Sequence, residues 1–373
     1  MTQTERDGRF DRLRGVAIFG MIAVHVANAL PFAPPESPAL GTTLSIAAGF
    51  VAPAFFLLAG FLLAGSLRRR PVGQRRDLWF RALSLILLTS WLHFPVGSLQ
   101  HLLGSNRFDV LAATFDLNAL GTIAIGMMVV LGVDRLGPSS SRLSIVRNAG
   151  VLFALLLLAA MIDLLAARST STLVTAVLGP RATFPLQESL PYVLFGTLIG
   201  QLYGAESEAP FRKDFAGLSL FGGSLLLIVS SLANVVELGS IWTTGPVAFS
   251  FRAGGVLVAV GLIESGISKW LRSLPMLGRC DRLLRACGRA SLPIYVLHLI
   301  VLFGSPINEG LPAVLRRTGT ELADPMFGIL VGWGVSVAIA AGVAWQQTKG
   351  GAGMHRRILV GLLAAWLAVF LAA

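Results

Sequence analysis

Long apolar runs recur from one end of the chain to the other, and they restrict the fold more than any other feature. LSIAAGFVAPAFFLLAGFLLAG and AGVLFALLLLAAMIDLLA are two of them. About 20 apolar residues carry a helix across the hydrocarbon core of a bilayer. A backbone there must satisfy its own hydrogen bonds, which leaves helices or closed barrels. Continuous runs, rather than ten-residue segments of alternating polarity, exclude the barrel. The composition agrees: of 373 residues, 54% are hydrophobic and 13% charged, where a soluble domain carries about 25% charged residues. The expected fold is all-α, a polytopic bundle of about 11 transmembrane helices. The spans run near 13–32, 42–66, 78–97, 117–134, 148–167, 186–204, 215–236, 245–265, 288–304, 325–345 and 357–372. The connectors are short, so residues 1–373 read as one integral membrane domain with no soluble domain and no internal repeat.

The net charge of +11 suggests nucleic acid until the cations are placed. With a cytoplasmic N-terminus, the cytoplasmic segments hold 24 of the 30 Lys and Arg residues. That asymmetry is a topology signal, and nucleic acid drops out as a partner. The setting is a bacterial-type cytoplasmic (inner) membrane. ANA at 27–29 resembles a weak signal-cleavage site, but the apolar segment before it is long and holds a histidine, so a retained first helix is expected. Cys280 and Cys287 form no disulfide framework and, without nearby His, no zinc site. No metal is expected. Gly196, Gly200 and Gly204 share one helix face and read as a packing stripe.

Ionisable groups inside spans are expensive and mark function by default. In RLRGVAIFGMIAVHVAN, residues 12–28, Arg14 and His25 are eleven residues apart. Eleven residues make about three turns and roughly 16 Å of rise, so both lie on one stripe, with Asn28 one turn on. A cationic mouth and a proton-handling ring at mid-membrane result. The purely structural reading is that Arg14 snorkels and His25 bonds a neighbouring helix. His298 follows Gly288, Ser291 and Tyr295 on a second polar stripe. Asp163, Glu188 and Arg252 are further awkward groups, for which mutual pairing, or pairing with Arg181, is the simplest account. His93 is a pocket candidate, whereas His101 and His355 read as solvated. Asp11 and Arg14 have i, i+3 spacing, which suits an ion pair. Arg68, Arg69, Arg70, Arg75, Arg76 and Arg81 crowd into fourteen residues, a run that serves topology, anionic lipid or the phosphates of a nucleotide-bearing donor. No Walker loop, HExxH pair or GxSxG elbow is present.

Three stretches carry a family resemblance. RDGRFDRLRGVAIFGMIAVH resembles the opening signature of the transmembrane acyltransferase superfamily, with the Arg-ten residues-His spacing of the acyltransferase-3 family at Arg14 and His25. APAFFLLAGFLLA, residues 52–64, is similar to its phenylalanine-rich second span. GRASLPIYVLHLI, residues 288–300, resembles its late Gly-x-x-Ser-x-x-Ile-Tyr-x-x-His signature. An eleven-span layout with LPYVLFGTLIG at 190–200 looks closer to the branch containing heparan-α-glucosaminide N-acetyltransferase. The resemblance implies acyl-CoA (acetyl-CoA by default) as donor from the cytoplasm, a sugar or glycan hydroxyl or amine as acceptor from the other side, and His25 as the point of transfer. Two departures stand out. The animal heparan enzyme looks to have Asn at the His25 position and its catalytic His in the next loop, where this chain has no His before His93. The Arg-x-x-Arg motif of the acyltransferase-3 proteins is also missing from the second cytoplasmic connector.

The expected site therefore joins His25, Asn28, His298 and Tyr295 as catalytic residues with Asp11, Arg14, Arg75, Arg76 and Arg81 toward the donor. His25 serves as general base or takes the acyl group itself; Asn28, Ser291 or Tyr295 serves as oxyanion donor. A transporter or flippase of a glycan or small molecule is the rival reading, since such proteins also bury His, Asp and Arg, though no inverted repeat is visible. A scaffold or sensor without chemistry is a third. Acceptor identity and oligomeric state stay open.

Overall fold

The computed structural model describes residues 8–29, 38–93, 118–136, 142–166, 186–205, 214–238, 245–265, 275–305 and 308–310, with the isolated positions 241, 334, 338 and 342. Among these are ten α-helices: α1 (Gly8–Ala29), α2 (Pro38–Arg69), α3 (Arg76–Leu92), α4 (Ala119–Arg135), α5 (Arg142–Ala166), α6 (Leu186–Ala205), α7 (Phe215–Val235), α8 (Pro246–Glu264), α9 (Pro275–Arg289) and α10 (Ser291–Phe303). The other elements are a 3-10 turn at Val72–Gln74 and a two-residue antiparallel pairing of β1 (Gly304–Ser305) with β2 (Asn308–Glu309). The helical reading thus holds. The expected spans at 325–345 and 357–372 lie outside the described residues.

Three described helical segments are both long and apolar enough to cross a membrane: Ala48–Arg69, Phe215–Val235 and Pro246–Glu264. The ninth span, expected over 288–304, is α10, and a sharp bend separates it from α9. Cys280–Arg289 and Ser291–Phe303 meet at 85°. Pro293 explains why the second piece starts where it does, because a proline fits a helix's first turn, where its missing N–H goes unused. α10 then ends at Gly304, whose φ of +85° is reached cheaply only by glycine.

The chain divides into two compact units, residues 1–51, 94–110 and 269–373, and residues 52–93 and 111–268. In the first, α1 packs on α9 and α10. Ile18, Ile22 and Val26, four residues apart, are fully buried. A Cβ on Gly15 would strike the Leu284 carbonyl, and one on Gly288 the Asp11 carbonyl, so these two glycines let the backbones of α1 and α9 touch. Small residues at a crossing are how membrane helices come close when lipid supplies no hydrophobic drive.

In the second unit α3 pairs with α4, α5 with α6, and α7 with α8. Asn118 caps α4, its carboxamide oxygen accepting from the Leu120 and Gly121 amides and from the Thr89 hydroxyl of α3. The expected glycine stripe is a packing surface: Gly196 faces the Leu57 backbone and Gly200 that of Phe61, and Gly60 of α2 faces Val193 in return.

Candidate active site

The first unit gathers most of the residues singled out on chemical grounds. α1 and α10 run side by side in the same direction, for Arg14 meets the first residue of α10 and His25 meets its eighth. The Arg14 guanidinium donates to Ser291 Oγ at 2.5 Å. His25 Nδ1 lies 2.7 Å from His298 Nε2, and His298 Nδ1 lies 2.9 Å from the Ile294 carbonyl oxygen. Eleven residues of α1, roughly 16 Å, are thus matched to seven of α10, roughly 10 Å. The long Arg14 side chain reaches across the difference.

The two imidazoles lie edge to edge in nearly one plane, with 5.0 Å between centroids and 17° between planes. Phe303 stands edge-on to His25 at 5.7 Å and 82°, and Tyr295 is edge-on to both rings, at 6.2 Å from His25 and 5.4 Å from His298. Tyr295 and His298 are fully buried, whereas His25 and Arg14 keep part of their surface exposed. His25 is therefore held by its neighbours without being fully enclosed. Ring orientation is fixed by three aromatic neighbours, which limits the motion of the imidazole without covering it.

Below this column a clasp of charges closes α1 against α9. The Arg12 guanidinium is bound to Asp281, which also accepts from Arg285 at 2.8 Å. Asp11 faces Arg289 at 3.5 Å. Arg12, Asp11 and Asp281 are all buried, and a buried carboxylate is tolerated only with cations beside it. Asp11, expected near the donor, is thus placed against Arg289 of α9. The side chains of Asn28 and Asp163 are outside what the structure describes, and Arg181, His101 and His355 lie outside the described residues.

The second unit holds the cationic run. Arg75 is turned inward: its guanidinium donates to the Leu67 and Arg70 carbonyls and is bound to Asp134 of α4. Removal from water lowers the Arg75 pKa, and Asp134 supplies the compensating charge. Arg76 and Arg81 are exposed, Arg76 lying over the Phe80 ring at 5.1 Å. Arg135 lies over Trp79 at the same distance. Arg252 of α8 hydrogen-bonds Tyr192 of α6, and Glu188 also lies near that tyrosine. His93 ends α3 as its C-cap. Among the described residues no group of three His, Cys, Asp or Glu could hold a metal ion.

Phe303, Asp281 and Asp134 are the contributors that sequence reasoning passed over. The two carboxylates did leave a signal, each being an isolated acid beside arginines in LGRCDRLLR and GVDRL. Phe303 left none, since an aromatic at the end of an apolar helix is ordinary.

The geometry is that of a part-exposed imidazole held by a second, with a guanidinium three turns away on the same helix. No curated protein matches the sequence. The family described as acyltransferase domain, the acyltransferase-3 type, matches residues 7–345, a stretch containing Arg14, His25, Ser291, Tyr295 and His298. The chain belongs to the acyltransferase-3 family.

Proposed function

We propose that this membrane acyltransferase moves an acyl group, acetyl in the simplest case, from acyl-CoA on the cytoplasmic side to a hydroxyl or amine of a sugar or glycan on the other side. The setting is a bacterial inner membrane, with the N-terminus cytoplasmic. The observation that carries the reading is the column formed by Arg14 and His25 on α1, both turned onto α10.

The donor's uncharged pantetheine arm lies along this column, and its thioester reaches His25. As general base, His25 Nε2 takes the proton of the acceptor O–H or N–H while the acceptor atom bonds to the thioester carbonyl carbon. Collapse of the tetrahedral intermediate breaks the C–S bond, and the departing thiolate recovers the proton from His25. As nucleophile, the same Nε2 first bonds to the carbonyl carbon and the C–S bond breaks, with CoA leaving as the thiolate. The acceptor atom then bonds to that carbon, the C–N bond breaks, and the freed Nε2 takes the acceptor's proton. Both routes need the neutral ring. Tyr295, fully buried and edge-on to both rings, is the proposed support of their orientation. Arg14, held by Ser291, fixes the anionic part of the donor at the mouth. Arg75, by contrast, holds its own connector together through the Leu67 and Arg70 carbonyls and Asp134.

The test is purified protein in lipid nanodiscs with acetyl-CoA and a panel of sugars. Free CoA should appear faster with a productive acceptor, and Arg14→Gln should raise the KM for donor more than it lowers kcat. A well-folded His25→Ala protein with full transfer would overturn the mechanism, and no acceptor-dependent CoA release from any acyl-CoA would overturn the function.

A further inference from the structure

We infer that His298 is a positioning residue: it locks His25 into the tautomer with the proton on Nδ1 and so leaves Nε2 as the bare, reactive nitrogen. The deduction starts from an atom whose role is beyond choice. A carbonyl oxygen only accepts, so the 2.9 Å contact of His298 Nδ1 with the Ile294 carbonyl requires a proton on that nitrogen. A neutral imidazole carries one N–H, which leaves His298 Nε2 with a lone pair. The 2.7 Å contact between this nitrogen and His25 Nδ1 needs one proton between them, and His25 must supply it. His25 Nε2 then carries none.

The order of hydrogen bonds runs from His25 through His298 to the α10 backbone, and each link fixes the next. His298 and Ile294 are fully buried, while His25 is only partly buried. His298 therefore touches no reacting atom and acts through its neighbour. The near-coplanar hydrogen-bonded rings and the edges of Tyr295 and Phe303 restrain ring rotation, so the proton pattern is tied to one orientation. The hydrogen bond made by one imidazole nitrogen decides which tautomer the other presents. When Nε2 takes up the acceptor proton, the Nδ1–H of the new imidazolium donates more strongly to His298, which stabilises the charge at the moment it forms. This catalytic consequence rests on the acyl-transfer reading above, but the tautomer assignment does not.

The test separates the two. Protein labelled with 15N-histidine is placed in bilayers without donor, and its ring nitrogens are read by solid-state NMR, the His25 signals being assigned from their loss in His25→Ala. The expected result is a protonated, pyrrole-type Nδ1 and an unprotonated, pyridine-type Nε2 at His25. His298→Leu should shift His25 toward the Nε2–H form. His298→Gln should keep the native pattern, since its amide oxygen stands near the lost Nε2 and still accepts. In transfer assays His298→Leu should lower kcat by roughly 10²- to 10⁴-fold, the range of a mis-set tautomer, with donor KM little changed, and His298→Gln should restore much of the loss. An Nε2–H tautomer at wild-type His25, which needs no variant to fold, overturns the inference; so does a His298→Leu protein with unaltered His25 signals. The expected NMR pattern in a protein that transfers nothing would instead remove the acyl-transfer reading and leave the assignment standing.

Discussion

α1 and α7 are both helices of about six turns, and they obey opposite rules. α7 contains no Asp, Glu, Lys, Arg or His, is apolar all round, and leaves Phe221 71% and Leu232 60% exposed. It meets α8 through Gly223 and Gly254, and its Ser230 hydroxyl bonds back to its own helix at Leu226. α1 is not apolar enough to count among the spans. It buries Asp11 and Arg12, and turns Arg14 and His25 onto another helix. In lipid an exposed phenylalanine needs no explanation, while each ionisable group does. Close packing by glycine is common to both helices, so packing alone does not distinguish the helix with chemistry. The groups that break the apolar rule do.

The largest expected contrast is in catalysis. His25→Ala on α1 should lower acyl transfer by roughly 10²- to 10⁴-fold, whereas Phe221→Ala on α7 should leave the rate within experimental scatter; CoA release by both proteins decides it. Next comes the clasp. Asp281→Ala leaves the buried Arg12 charge without its carboxylate and should destabilise by about 3–5 kcal/mol. The double variant Arg12→Met with Asp281→Leu should recover most of that, read as the unfolding midpoint in mild detergent. Gly288→Val drives a side chain into the Asp11 carbonyl and should cost about 1–3 kcal/mol by overpacking. The smallest effect, of opposite sign, belongs to α7: nothing stands within 4 Å of a Cβ at Gly222, so Gly222→Ala should gain about 0.5–1 kcal/mol from helix propensity. Equal losses at Gly222 and Gly288 would show that the two helices are not packed differently after all.

Much of the site was legible because helical periodicity reports which residues share a face. The eleven-residue spacing put Arg14 and His25 on one stripe, and the Ser291, Tyr295 and His298 spacing put those residues on another. That the stripes meet was not legible, for 273 residues separate His25 from His298 and periodicity says nothing about partners. The same holds for Arg12 and Asp281, 269 residues apart. The 85° bend at Ala290 was not legible, because Pro293 reads equally as a helix start or a tolerated kink. The cationic connector advertised charge without orientation. Only the fold shows that Arg75 turns inward to Asp134 while Arg76 stays exposed.

The claim at the centre is that two imidazoles, one on each stripe, work as a single device. A catalytic double-mutant cycle tests it most directly, with kcat measured for His25→Ala, His298→Leu and the pair together. Residues that act through one another are not additive, so once His25 is gone, removing His298 should cost nothing further. Losses that multiply in the double variant would show two separate roles and contradict the coupling.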